Sequence, residues 1–385
     1  MAAETMPPTG AVEGNSLEDF FAAALDYSPR LRIAEENLNI GSARKQQARG
    51  LLLPQVNAAA SVNNNRRQQG LQFQEFDGNR YSLQLTQTLF NWQTFSARNR
   101  AIAEENQAEA EYYYELAFVL TDVAEKYFTV LQAQDALTSI SAELDALRNQ
   151  LEQVQSLFDR QLAQITDLRQ VQASLSQVQA QQIRLQAQLA LAEESLRSAS
   201  GLDIGELFTL RDNVTVPGVD NSAQYWVELA RENNQQILAR EFALEAAEEG
   251  ISEQRGAFLP NVSLVAQRQN SNLGFDNALI GETEISYLGI NVNIPLYSGG
   301  TRKAQVREAR SLRGIAENEL RQVKLEAGER VRSAYLQAQA SQTLTQAAEA
   351  LVESTAIAAE SMREGYELGT VTSVDVLNAL RDQFR

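Results

Sequence analysis

From Asn91 to Ser200 the chain contains neither glycine nor proline, and its apolar residues keep a period of seven. Val130, Ala133, Leu137, Ile140, Leu144, Leu147, Leu151, Val154 and Phe158 follow steps of three and four, the spacing of a coiled-coil seam. Leu168, Val171, Leu175, Val178, Gln182, Leu185, Leu189, Ala192 and Leu196 take up the same steps. This predicts two long antiparallel helices with a turn near residues 159–166. A continuous helix from Asn91 to Arg160 has 70 residues and measures about 105 Å at ~1.5 Å per residue, too long for a compact globular domain.

Upstream of this stretch the period changes to two. A first helical stretch, opened by the capping box Ser16-Leu17-Glu18-Asp19, is expected to stop at Pro54. Val56, Ala58, Ala60 and Val62 then alternate with mostly polar neighbours, and Tyr81, Leu83, Leu85 and Leu89 with Ser82, Gln84, Thr86 and Thr88. Val262, Leu264 and Ala266, and Leu288, Ile290, Val292, Ile294 and Leu296, repeat the pattern. Each segment, roughly ten residues long, fits a membrane β-barrel strand and equally a half-buried hairpin of a soluble sheet. The stretches GLQFQEFDGN (from Gly70) and NSNLGFDNALIG (from Asn270) are polar, contain glycine and are expected as exposed hairpin loops. Phe90 and Tyr297 end their strands at matched positions, with Trp92 just beyond, where aromatics would meet a membrane interface.

Landmarks occur in pairs at a near-constant offset. Asn15 lies over Asn221 and Arg49-Gly50 over Arg255-Gly256 at an offset of 206, Leu89 over Leu296 at 207, and Phe158 and Asp167 over Tyr366 and Asp375 at 208. A tandem duplication is expected, with a flexible segment 1–14, a first repeat 15–200, a linker 201–220 and a second repeat 221–385 whose turn lies near 367–374.

Composition narrows the functions. The 385 residues include no cysteine and no histidine, which removes disulfides, thiol chemistry, the commonest general base and the commonest metal ligand. No catalytic residue, cofactor site or metal site is expected, and a carboxylate hydrolase finds no convergent pair. A formal charge of −17 opposes nucleic-acid binding. No uninterrupted apolar run reaches the length of a transmembrane helix. The start, MAAETMPPTGAVEGNS, resembles a mature exported terminus, with Met1 expected to replace a removed signal peptide.

The RGxxLP helix ends, the junctions TQTLFNW and NIPLYSGG, and GYELGTVTSVDVLNA near the end resemble the TolC-like outer-membrane efflux proteins, in order and nearly throughout the chain from Asn15. The resemblance implies a mixed α+β membrane protein: a duplicated strand pair and long coiled-coil hairpin, whose homotrimer forms a twelve-stranded β-barrel in outer-membrane lipid, continued by a periplasmic helical barrel. It implies a passive exit duct for efflux or type I secretion, coupled through a periplasmic adaptor (membrane fusion) protein to an inner-membrane transporter. A soluble coiled-coil scaffold would account for the heptads but not for the duplicated strands.

Carried over by residue, Gln161, Leu162, Thr166 and Asp167 in the first turn, and Gly365, Tyr366, Gly369 and Thr370 in the second, would dock the adaptor. Asp375 and Asn378 would form the periplasmic gate, Asp375 as a three-fold carboxylate ring; capping of the returning helix is the other role open to Asp375, as to Asp167. The chain departs from the family at Val371, where an Arg clasp is common, at Asn378, where a second Asp is common, and at Gln161, where the usual Gly is replaced and a tighter or differently shaped turn is expected. Opposite Ile140, Leu144, Leu147 and Leu151 stand the smaller Ala348, Val352, Thr355 and Ala359, so the second hairpin is expected to be the looser and to swing. Matched to the first repeat, the final helix is expected to lack about two dozen residues.

Overall fold

A computed structural model describes residues 15–208, 218–272 and 282–384. Helices α1 (Leu17–Tyr27) and α2 (Pro29–Gly50), strands β1 (Gln55–Gln69) and β2 (Gln72–Phe90), and helices α3 (Trp92–Asp159) and α4 (Ile165–Ser200) come first. The same order then recurs as α5 (Ala223–Asn233), α6 (Gln235–Gly256), β3 (Asn261–Asn272), β4 (Thr283–Asn293), α7 (Thr301–Glu367) and α8 (Ser373–Phe384).

The capping box at the start is present: Asp19 N–H donates to Ser16 Oγ at 3.2 Å, and Ser16 N–H to Asp19 Oδ2 at 2.8 Å. The helix it opens does not run on to Pro54. It breaks at Ser28, because Pro29 has no N–H to continue the ladder and disfavours helical backbone in the residue before it. Asn234 makes the matching break in the second half, its Oδ1 accepting from the backbone N–H of Gln236 at 2.9 Å and of Ile237 at 3.2 Å.

The four strands form one antiparallel sheet in the order β1-β2-β3-β4. The stretch beginning at Gly70 is a correction to the expected loop. Pairing runs out to Gln69 opposite Gln72, so only Gly70-Leu71 turns the chain and the rest belongs to β2. Cross-strand polar pairs sustain the ladder where apolar alternation has stopped: Arg66 is ion-paired to Glu75, and Asn64 Nδ2 donates to Asp77 Oδ1 at 3.0 Å. β1 and β2 thus reach 15 and 19 residues, longer than expected. β4 errs the other way. It ends at Asn293, leaving Ile294, Leu296 and Tyr297 outside, since Pro295 cannot donate to a ladder. Of the second expected loop, Asn270–Asn272 belong to β3; residues 273–281, like residues 1–14, lie outside the described residues.

The chain divides into two units. One comprises the described parts of Met1–Arg32, Glu115–Glu228 and Glu329–Arg385, and its core is the heptad seam. Ile140, Leu144, Leu147 and Val154 of α3 meet Leu168, Val171 and Val178 of α4, joined by Val376, Leu377 and Leu380 of α8. Gln182, the polar member of the α4 seam, donates from Nε2 to Ser141 Oγ at 3.3 Å. A second cluster seats Phe20 and Ala24 of α1 on Val119, Val123 and Leu196, with Phe20 and Tyr127 edge to face at 5.7 Å. The segment after α4 is tied to this cluster: Asn15 N–H donates to Glu206 O at 2.8 Å, and Tyr127 Oη to Phe208 O at 2.9 Å.

The other unit, Ile33–Tyr114 and Leu229–Gly328, holds the sheet and a layer of helices. Lys45 of α2 is ion-paired to Glu105 of α3; Arg100 of α3 reaches Glu253 of α6 at 2.9 Å; Lys324 of α7 reaches Glu241 of α6 at 2.7 Å. Ile237, Val323 and Ala327 pack beneath the last of these pairs.

Leu144, fully enclosed in the seam, tests the coiled-coil core. Leu144→Ala is expected to lower the unfolding free energy by about 2–5 kcal/mol and Leu144→Met by less than about 1.5 kcal/mol, measured by urea denaturation. Equal effects of the two substitutions would place the side chain outside a packed seam.

Candidate functional site

The two turns that overlie in sequence also close with one hydrogen-bond pattern. In the first, Leu162 N–H donates to Leu157 O and Gln161 N–H to Phe158 O, both at 2.8 Å. In the second, Thr370 N–H donates to Gly365 O at 2.8 Å and Gly369 N–H to Tyr366 O at 3.1 Å. Nested bonds of this kind end a helix as a Schellman motif, which requires one residue in the left-handed region. Gly369 supplies it at φ +72°, and Gln161 at φ +62°. The expected change of turn shape is therefore corrected: the shape is kept, with a side chain in a conformation that costs an L-residue roughly 1–2 kcal/mol.

Each returning helix is capped by the carboxylate singled out in its turn. Thr372 donates to Asp375 Oδ2 from its backbone N–H at 2.9 Å and from its hydroxyl at 2.6 Å. The hydroxyl bond first, and the backbone bond after it, hold the Asp375 carboxyl below the usual carboxylate range. Gln164 N–H donates to Asp167 Oδ2 at 3.3 Å, and Thr166 Oγ1 to Gln164 Oε1 at 3.3 Å. The capping reading of Asp375 and Asp167 thus holds in the single chain. Asp375 and Asn378, one turn apart on α8, both remain exposed, as does Leu162.

Tyr366 brings the two turns together. It packs, half-buried, on the hydrophobic seam, and its phenol is pushed up by burial and then by the negative charge of Asp167. Nothing local in the sequence announces this pairing, because the residues belong to different halves. The cap Thr372 is legible as T-x-x-D before an apolar run. Among the described residues no group of three or more carboxylates is placed to hold a metal ion.

The sheet carries the second set of candidates. Its register puts Val56, Ala58, Ala60 and Val62 of β1, Tyr81, Leu83 and Leu85 of β2, Val262, Leu264 and Ala266 of β3, and Leu288, Ile290 and Val292 of β4 on one face. Gln84, Thr86, Gln267 and Gln269 lie on the other. The apolar stretch is not level with the pairing rows. From the row Val56-Leu85-Ala266-Leu288 it extends away from the helices on β1 and β2, and towards them on β3 and β4. Such a diagonal is what a level band makes on strands that tilt.

The three aromatics diverge. Phe90 closes β2 opposite Val262, on the apolar face. Trp92 opens α3 and docks on α6, its Nε1 donating to Ser252 Oγ at 3.2 Å. Tyr297, 91% exposed, stands beyond β4 and not at a strand end. None of the described helices is long and apolar enough to cross a membrane.

Comparison with known proteins converges on one family. A family model, outer membrane efflux protein, matches residues 21–202 and 226–385. The outer membrane protein TolC of Vibrio cholerae is 28% identical over 377 residues, covering 97% of this chain and 86% of that protein. The alkaline protease secretion protein AprF of Pseudomonas aeruginosa is 27% identical over 376 residues, covering 94% and 78%. Solved structures of CusC and of VceC from Vibrio cholerae share the fold, with TM-scores of 0.85 and 0.83 at 20% and 21% identity, over 97% and 96% of this chain and 87% and 90% of theirs.

The left-handed residue gives the turns opposite responses. Gln161→Gly is expected to raise stability by about 1 kcal/mol by relieving the strain, and Gly369→Ala to lower it by about 1 kcal/mol. Thermal unfolding of the purified protein reads both; shifts of the same sign would contradict the shared turn geometry.

Proposed function

The chain belongs to the outer membrane efflux protein family and is an outer-membrane channel for efflux or type I secretion that extends into the periplasm, and we propose that three copies close a twelve-stranded barrel continued by a hollow barrel of helices. The reading rests on a contact that is made once within the chain and left open once. Gly256, in the last turn of α6, lies so close to α3 that a Cβ there would come within 2.7 Å of Gln93 N and 2.9 Å of Trp92 Cδ1. Gly50 is its counterpart on α2, and a Cβ there would meet nothing within 4 Å. With residues 15–200 and 221–385 as repeats joined through 201–220, α2 lacks the neighbour that α3 gives to α6. The start of α7 in another copy supplies it.

The strands pose the same problem. β2 pairs with β3 across the halves, while β1 and β4 are edges among the described residues. An unpaired edge is not tolerated in hydrocarbon, so a ring of copies in which β4 pairs with the next β1 satisfies strands and helices together. Three copies, the number the family resemblance implies, give twelve strands, an even count within the bacterial range. A soluble coiled-coil scaffold would leave the apolar sheet face without a role.

In this assembly the chain is a passive duct, and the driving energy comes from an inner-membrane transporter reached through a periplasmic adaptor. The adaptor docks at the turns, on Gln161, Leu162, Thr166 and Asp167 and on Gly365, Tyr366, Gly369 and Thr370. Three Asp375 carboxylates form a cation-attracting constriction with Asn378 beside them, and their mutual repulsion opposes the lowering that Thr372 imposes in one chain. Tyr366, packed on the seam of α3 and α4, seats the second hairpin on the first. That hairpin is the moving one: Ala348, Val352, Thr355 and Ala359 put smaller side chains where the first hairpin has Ile140, Leu144, Leu147 and Leu151.

Two measurements test these readings. Gly256→Ala is expected to destabilise the chain itself by about 1–3 kcal/mol, whereas Gly50→Ala leaves chain folding intact and weakens the trimer, read by chemical cross-linking in detergent. A Gly50→Ala protein that assembles like the wild type would rule out the proposed closure. In planar bilayers wild type is expected to conduct, with block by divalent cations that Asp375→Ala relieves, higher open probability in Tyr366→Ala, and loss of conduction when introduced cysteines tie the second hairpin to its neighbours. Absence of any pore in the wild type would sink the channel assembly.

A further inference from the structure

Among the described residues Glu143 is the one buried charged side chain, 9% exposed in the middle of α3. It makes no hydrogen bond or ion pair with any of them. A carboxyl taken from water without a partner is costly as an anion and far cheaper as a neutral acid.

What covers it is α8. Ser139 Oγ, one turn earlier on α3, lies 3.5 Å from Phe384 O at the end of α8. At ~100° per residue, Ser139, Glu143 and Gln150 fall within roughly 40° of one another around α3. Leu137, Ile140, Leu144 and Leu151, on the seam side of α3, are centred roughly 110° away. α3 therefore offers α4 an apolar stripe and α8 a partly polar one, on which Val376, Leu377 and Leu380 are seated beside the seam. The two helices also keep amide atoms unsatisfied: Gln150 Nε2 on α3 and Gln383 Oε1 on α8 are buried without a hydrogen-bond partner among the described residues.

No charge offsets Glu143. On α8, Arg381 and Asp382 are paired with each other at 3.3 Å, and Asp375 is held by Thr372. α4 has no charged residue between Arg169 and Arg184, and the titratable group that α7 brings to the cluster is the phenol of Tyr366. Burial alone pushes the Glu143 carboxyl above the ordinary carboxylate range.

We propose that the seat of α8 on α3 is a proton-sensitive joint: Glu143 stays under α8 as the neutral acid, and its ionisation loosens the contact and frees the second turn. The direction follows from linkage. A carboxyl that holds its proton more tightly when covered than when exposed favours the covered state at low pH, and that advantage is lost as the pH rises through the raised value. The joint tightens in an acidified periplasm and relaxes towards neutral pH. It needs only the packing within one chain, whereas its effect on conduction rests on the proposed motion of the second hairpin.

Hydrogen exchange of the full chain in neutral detergent, read by mass spectrometry and corrected for the intrinsic pH dependence of exchange, reports on the joint directly. Between about pH 5 and about pH 8, protection of the segment Ser373–Phe384 is expected to fall several-fold in wild type, while that of α4 does not change. Glu143→Gln, and Glu143→Met as a second uncharged side chain of similar size, should hold α8 at its low-pH protection throughout. A pH-independent wild type, a fall that survives in the uncharged variants, or an equal fall in α4 would overturn the proposal. If α8 responds to pH and open probability in planar bilayers does not, the joint is upheld and the moving hairpin is contradicted.

Discussion

A strand edge immersed in hydrocarbon has no water to satisfy its N–H and C=O groups, and among the described residues β1 and β4 are the two edges of this sheet. Most of the architecture follows from that constraint once the apolar face is recognised. Four strands are too few to roll into a barrel with an interior, and in the proposed assembly closure comes from other copies. The diagonal of the apolar band points the same way, because strands tilt when a sheet closes. The helices fit the same reading, since Gly256 of α6 lies against α3 while a Cβ at its counterpart Gly50 of α2 would meet nothing within 4 Å. The proposed assembly thus rests on backbone hydrogen bonding and close helix approach, and the twofold repetition within the chain makes the open contact recognisable.

What could be read from the sequence depended on how strongly a period was enforced. The seam of α3 and α4 was legible residue by residue, because a buried stripe on a long helix allows almost no exceptions; Gln182, the polar exception in α4, is answered by Ser141. The strand alternation was legible near the helices, where one face is apolar. It failed at the far hairpin, where Arg66 with Glu75 and Asn64 with Asp77 hold the ladder by polar pairs that imitate loop composition. It failed in the other direction at Ile294 and Leu296, which keep the apolar alternation past a proline that ends the pairing. The break at Ser28 was written in Pro29, whose effect on the preceding residue competes with helical amphipathicity and wins.

The turns show how much of a site lies in backbone geometry. Glycine marks the second turn in the sequence; the first reaches the same hydrogen bonds through Gln161, so residue identity alone misjudged the shape. A fixed number of residues between two helices of set direction leaves few closed solutions, and the chain adopts one of them despite the strain. Asp167 and Asp375 then serve as caps before any other role, which ties their position to the helix ends and hence to the turn. A carboxylate at that place is rigidly aimed, a useful property in a constriction.

The asymmetry between the hairpins carries the last step. α8 contributes Val376, Leu377 and Leu380 to the cluster built by α3 and α4, and Tyr366 leans on the same cluster. The second turn is therefore seated on the first hairpin. A seam of smaller apolar side chains can be opened at lower cost than a continuous seam of large ones. Duplication gave the chain two hairpins of one design, and Ala348, Val352 and Thr355 give the second a seam of smaller side chains than Ile140, Leu144 and Leu147 give the first.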